Sequence, residues 1–181
     1  VMEEILIAGF GGQGVMSMGQ LIAYAGMKEG KYVSWLPSYG PEQRGGTANC
    51  AVVVSGEQVG SPLVSQPTTA IVLNNPSYYK FEPTVRPGGL LIVNASLISK
   101  TSERTDIKVM NLKATELANE LGNPKIANMI LLGAFLEITG ILSDESILEA
   151  LKKVLSPEKH SLLEINKRAL ELGRLSTKVG I

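Results

Sequence analysis

The feature that most constrains the fold lies near the start of the chain. The apolar run Ile5-Leu6-Ile7-Ala8 leads without interruption into GFGGQGV, residues 9–15. Gly9, Gly11 and Gly14 make a G-x-G-x-x-G between a strand-like run and a helix-like one, which is how an α/β unit opens. Such a turn has two uses. It can present unpaired backbone N–H groups and a helix dipole to a phosphate, or it can simply let a strand reverse into a helix where only glycine fits. A nicotinamide dinucleotide would also need an acid about 20 residues further on, to hold the ribose. Residues 31–36 read KYVSWL, and the first carboxylate after Glu29 is Glu42, in a different loop. That argues against the dinucleotide and leaves it as the alternative reading.

The rest of the chain extends the same pattern. A helix is expected over 15–29, closed by Gly30, and strands over 31–36, 47–55, 69–73, 90–93 and 107–110. From about residue 123 the character becomes helical. Asn123-Pro124 opens one helix running to Gly140, and Ser143 caps a second with Asp144 and Glu145 in its first turn. Ser156-Pro157 begins a third, which Gly173 should end. The expected fold is α/β: one Rossmann-like three-layer domain over 1–181, with a mostly parallel sheet and a helical C-terminal tail.

Charge and rare residues narrow the functional classes. Seventeen basic side chains balance seventeen acidic ones, so neither nucleic acid nor an anionic membrane is indicated as a partner. From Ile5 to Met27 no residue is charged, but six are glycine, and a strand, turn and helix explain the stretch better than a membrane span. With Cys50 as the single cysteine, the chain cannot build an iron–sulfur or zinc site from its own thiolates. His160 is the single histidine, and no metal site or catalytic acid, base or nucleophile stands out. Glu3 and Glu4 occupy the place of a positive leader region, so a cytoplasmic location is expected. Cys50, on a buried strand with no cation beside it, reads as a structural thiol.

Two polar features remain. Gln13, Ser17, Gln20 and Tyr24 recur at helical spacing without a charge, where a solvated face would carry Lys and Glu. Cover by another subunit is the favoured reading, with the chain's own tail as the alternative, and the apolar helix over 123–140 repeats the pattern and the expectation. The loop SYGPEQRGG gathers Ser38, Tyr39, Gly40, Pro41, Glu42, Gln43, Arg44, Gly45 and Gly46. Polar side chains on a path fixed by proline and glycine usually serve binding. Arg44 can grip a phosphate or carboxylate in bidentate fashion, or pair with Glu42 or a partner's acid.

Together, GFGGQGV and SYGPEQRGGTANC resemble the gamma subunit of the 2-oxoacid:ferredoxin oxidoreductases. The resemblance continues through Asn75-Pro76, Gly88-Gly89, Asn128 and Gly133. It implies a multisubunit enzyme, inactive as this chain alone, that converts a 2-oxoacid to an acyl-coenzyme A and passes electrons to ferredoxin. Alpha, beta and ferredoxin-like delta subunits would be the partners, and they would hold thiamine diphosphate, magnesium and the iron–sulfur clusters. This chain would contact coenzyme A through Gly9, Gly11, Gly12, Gln13 and Gly14 of the turn and through Arg44. The rest of the loop, from Ser38 to Gly46, would be shaped for the subunit boundary. The loop is closer to the 2-oxoglutarate and branched-chain variants than to the pyruvate one. A stand-alone dinucleotide-binding domain and a ligand-free interaction module remain the alternatives.

Overall fold

The computed structural model describes residues 1–38 and 47–178. Its centre is a six-stranded sheet in the order β2-β3-β1-β4-β5-β6. The strands are β1 (Met2–Phe10), β2 (Tyr32–Ser38), β3 (Thr47–Ser55), β4 (Thr69–Val72), β5 (Leu90–Asn94) and β6 (Lys108–Leu112). β1, β4, β5 and β6 run parallel. β3 is inserted between β1 and β2 and runs against both. The sheet is therefore mostly parallel, as expected, with a return strand beside its first strand that composition gives no hint of.

Strand periodicity decides what covers each face. Ile5 and Ile7, Cys50, Val52 and Val54, Ile71, Leu90 and Ile92, and Met110 and Leu112 face one way into the main core. Over them lie α1 (Val15–Lys28) and the C-terminal helices. Ala70, Val72, Leu91 and Val93 face the other way and pack with Tyr78 of α2 (Asn75–Phe81). In α1 the buried positions Val15, Met18, Gly19, Ile22, Ala25 and Gly26, with Leu21 beside them, follow the three-and-four spacing of a one-faced helix.

The helical tail is anchored by α4 (Ala127–Thr139), which is buried at every residue from Ala127 to Leu136. Its apolar character is explained by the chain's own α6 (Leu163–Ser176), α3 (Ala114–Glu120) and α1, so its expected role as an intersubunit surface is corrected. Gly173 is likewise not a helix end. It lies within α6, against the backbone of Ile130, as Gly133 lies against the backbone of Leu170. The two glycines let α4 and α6 cross at backbone distance. Arg174 of α6 ties this layer to α5 (Asp144–Val154), its Nε donating to Asp144 at 2.8 Å. Ser143 caps α5 as expected, accepting from the Ser146 N–H at 3.2 Å.

Other boundaries shift for local reasons. The stretch expected to start α4 is a 3-10 turn, Pro124–Ile126, with the Asn123 side chain accepting from Lys125 N. Another 3-10 segment, Pro157–Leu162, precedes α6. The helices α2 and α3 have seven residues each, too short for a periodic signal to develop. Among the described residues, no helix is long and apolar enough to cross a membrane.

Candidate functional site

The chain leaves β1 at Phe10 and passes through a 3-10 turn, Gly11–Gln13, before α1 begins at Val15. From β1 it moves to β2 on one side, and after β3 it resumes with β4 on the other. The gap beyond the carboxyl ends of β1 and β4 is thus the point where the strand order reverses, the place where open α/β sheets receive ligands. A crevice of about 230 Å³ lies there. Gly12 and Gln13 line it from the turn, Leu73 and Asn94 from the strand ends, Thr115 from α3, and Lys125 and Asn128 from the start of the α4 region. Lys125 is its one charged side chain among the described residues.

The residues of the glycine turn prove to have distinct duties. Gly9 is buried, and a Cβ there would press on the Gln13 side chain at 2.5 Å and on Leu73 Cβ at 2.9 Å. Gly14 has φ 76°, a left-handed conformation, with the Asn128 amide packed against it. Gln13 is committed internally: its Oε1 accepts from Phe10 N at 2.6 Å and its Nε2 donates to Leu73 O at 3.1 Å. That amide staples the end of β1 to the end of β4 across the reversal point. It also places Gln13 ahead of α1, so the expected polar stripe shortens to Ser17, Gln20 and Tyr24. Gly11 and Gly12 are exposed, and nothing lies within 4 Å of an added Cβ at either. Packing does not explain these two glycines. The α1 N-terminus beside them has no capping side chain and no acidic residue in its first turn.

The polar groups at and near the crevice are mostly held in place. Asn128 Nδ2 donates to Gly14 O at 3.4 Å, and Asn94 Nδ2 to Thr115 Oγ1 at 3.0 Å. Asn74, just after β4, accepts from Ser77 N at 2.9 Å as the cap of α2. Its Nδ2 is buried without a partner among the described residues.

The two residues that flank the second motif also reach this end of the sheet. Ser38 and Thr47, which bracket residues 39–46, stand at the same edge: Ser38 pairs with Asn49, Asn49 with Ala8, and Thr47 with Phe10. Tyr39, Gly40, Pro41, Glu42, Gln43, Arg44, Gly45 and Gly46 themselves lie outside the described residues. Ser38 is exposed.

The same geometry bears on the dinucleotide alternative. In a dinucleotide-binding unit the strand beside the first is parallel and ends in the ribose-binding acid. Here that neighbour is β3, running the other way and reaching Phe10 with Thr47.

Residues 4–176 match the family described as pyruvate ferredoxin/flavodoxin oxidoreductase. The chain belongs to that family. A ketoisovalerate oxidoreductase subunit VorA of Methanothermobacter thermautotrophicus is 43% identical over 94% of this chain, which spans only 35% of VorA's length. The 2-oxoglutarate synthase subunit KorC of Methanothermobacter marburgensis is 34% identical over 95% of both chains. Among solved structures, the keto/oxoacid ferredoxin oxidoreductase gamma subunit of Geobacter sulfurreducens has a TM-score of 0.84. It is 26% identical over 98% of this chain and 99% of that one. The family gamma-subunit fold therefore accounts for the whole described domain.

Sequence reasoning singled out the glycine turn, whose Gly12 and Gln13 line the crevice, but did not single out Asn94, Thr115 or Lys125 as site residues. Lys125 carried a usable signal, as the lone cation on an otherwise apolar segment opened by Asn123-Pro124. Asn94 and Thr115 carried none, since only the fold brings them to the reversal point. Cys50 is fully buried and donates weakly to Val15 O at 3.6 Å. Burial pushes its thiol up to about 12, the Trp35 contact lowering it only in part. Native protein at pH 8 should therefore resist iodoacetamide, with alkylation appearing on denaturation; rapid labelling of the folded chain would refute the structural role. Among the described residues, no three His, Cys, Asp or Glu side chains cluster as metal ligands would.

Proposed function

We propose that this chain is a gamma-type subunit of a multisubunit 2-oxoacid:acceptor oxidoreductase and supplies part of the coenzyme A contact. The observation that carries this reading is that Gly11 and Gly12 lie open beside an uncapped helix start at the carboxyl ends of β1 and β4, with Ser38 and Thr47, which bracket the second motif, at the same end of the sheet. Backbone donors without side chains above them suit a diphosphate, and Lys125 suits an anion. Size sets a limit. Pockets that enclose a whole organic ligand hold about 300–1,000 Å³, and this crevice is smaller. It suits one section of an elongated molecule whose remainder lies on other subunits.

Branched-chain 2-oxoacids and 2-oxoglutarate are the substrate classes named for the similar subunits. The partners follow from the same reading: thiamine-binding alpha and beta subunits, a ferredoxin-like delta subunit, and ferredoxin as acceptor. With one cysteine, this chain leaves the iron–sulfur clusters to those partners.

Reconstitution tests the proposal. The purified chain should turn over no 2-oxoacid with thiamine diphosphate, magnesium and coenzyme A, while addition of alpha- and beta-type chains from the same genome should restore coenzyme A-dependent acceptor reduction. Turnover by the lone chain would overturn the proposal, and so would sub-micromolar NADH binding by calorimetry.

A further inference from the structure

Where β1 and β4 part, a side chain finishes the ladder between them. Parallel strands exchange evenly spaced, slanted bonds, so a residue of one strand donates to and accepts from two residues of the other. Leu73 is level with Gly9, one step beyond the last paired residues, Ala8 and Val72. Its N–H donates to Ala8 O at 2.9 Å, as the ladder requires. The next rung would run from Phe10 N to Leu73 O. Instead the Gln13 carboxamide stands between the two: Phe10 N donates to its Oε1 at 2.6 Å, and its Nε2 donates to Leu73 O at 3.1 Å. Only a neutral amide serves both ends, because Phe10 offers a proton and Leu73 a lone pair.

An inserted amide holds apart two strand ends that a direct rung would draw together. Gly12 and Gln13 line the crevice from the turn and Leu73 lines it from the end of β4, so the inserted rung ties one wall to the other. Room for the amide comes from Gly9, buried in β1, where an added Cβ would stand 2.5 Å from the Gln13 Oε1. The first N–H groups of a helical turn have no partner inside it. Gln13 takes the one at Phe10, and among the described residues no acceptor outside the turn takes those of Gly11 and Gly12.

We infer that Gln13 is a positioning residue of the coenzyme A site: its carboxamide, inserted as the last rung between β1 and β4, sets the width of the crevice and leaves the Gly11 and Gly12 N–H groups to the ligand's phosphates. This rests on the coenzyme A reading of the crevice. The motif places Gln13 among the ligand contacts, beside the glycines. The geometry gives it a different duty, because both ends of its amide are spent within the chain. Without the amide, Phe10 N can bond Leu73 O directly, which keeps the sheet but closes the gap.

Three variants of the reconstituted complex test it. Gln13→Ala removes the inserted rung, Gly9→Ala displaces it from a buried position, and Gly12→Val covers the turn while leaving the rung alone. Gln13→Ala and Gly9→Ala should each raise the KM for coenzyme A about tenfold, the worth of one or two hydrogen bonds, with kcat at saturating coenzyme A unchanged. A purely structural role would do the reverse, lowering kcat with the amount of assembled complex and leaving KM alone. The melt of the Gln13→Ala chain should fall by no more than about 4 °C, since one direct rung replaces two bonds. In the isotope-labelled chain without ligand, the same variant should move the amide signal of Leu73, 60 positions away in sequence. An unmoved Leu73 signal would overturn the inference, and it decides the matter if Gly9→Ala does not fold. A raised KM in Gln13→Ala but not in Gly9→Ala would also overturn it, by making Gln13 a direct contact. A raised KM in Gly12→Val alone would sink the inference and keep the coenzyme A reading, whereas a normal KM in all three would end both.

Discussion

Gly173→Ala should lower the melting temperature of the isolated chain by roughly 6–12 °C, from an overpacking cost of about 3 kcal/mol at 2–4 °C per kcal/mol for a domain of this size. An added Cβ would sit 2.9 Å from the Ile130 carbonyl carbon, nearer still to its oxygen, and 3.0 Å from Ala134 N. All three are backbone atoms of α4, so no rotamer change relieves the clash, and the helices must separate. Separation opens the interface between two helices that share Leu132, Phe135, Ala169 and Leu170 with the main core. Gly133→Ala should do the same from the other side, against Leu170. The double variant should cost less than the sum, because helices already spread for one methyl admit the second more easily. Gly12→Ala is the control: nothing lies within 4 Å of its added Cβ, and its melt should stay within about 1 °C. A wild-type melt for Gly173→Ala would mean that α4 and α6 do not cross at backbone distance.

Gly173 also shows where sequence reasoning misleads. A glycine late in a helical stretch reads as a terminator, because its local freedom is the visible property. Its absent side chain matters only when another backbone comes near, and that backbone belongs to Ile130 and Ala134, 43 and 39 positions earlier in the sequence. The same blindness affected α4. A helix apolar all round is buried, but whether by its own chain or another's depends on the tail, and here α6 fills that place. Local chemistry was legible where it is self-contained: the cap at Ser143, the nine-residue strand at Thr47–Ser55, and the turn after Phe10. The antiparallel insertion of β3 was not, since alternation of apolar residues says nothing about direction. The glycine motif was legible as a motif but not in its division of labour. Only the packing around each position shows that Gly9 and Gly14 serve the turn while Gly11 and Gly12 stay open.

That division sets the terms for the largest functional effect. In the reconstituted complex, Arg44→Ala should raise the apparent KM for coenzyme A by roughly 10- to 150-fold, the value of a charge-assisted hydrogen bond of about 1.5–3 kcal/mol. Arg44 lies outside the described residues, but its loop is bracketed by Ser38 and Thr47 at the crevice end of the sheet. Arg44→Lys should recover part of the loss, because a point charge cannot reproduce the planar fork. Lys125→Ala should do less. Its ammonium is exposed, and a solvated ion pair of about 0.5–1 kcal/mol corresponds to roughly a two- to fivefold change. Gly12→Val separates backbone approach from charge: it removes no cation, and its Cβ has no atom within 4 Å in the free chain. It should nonetheless raise the KM for coenzyme A if the diphosphate rests on the turn. KM for the 2-oxoacid should hardly move in any of these variants, because in the proposed complex that substrate would react on thiamine held by other subunits before the acyl group is transferred. A complex that fails to assemble with Arg44→Ala would assign the guanidinium to a partner's carboxylate. Normal coenzyme A kinetics in Arg44→Ala, Lys125→Ala and Gly12→Val alike would remove this chain from the coenzyme A site and leave it a packing subunit.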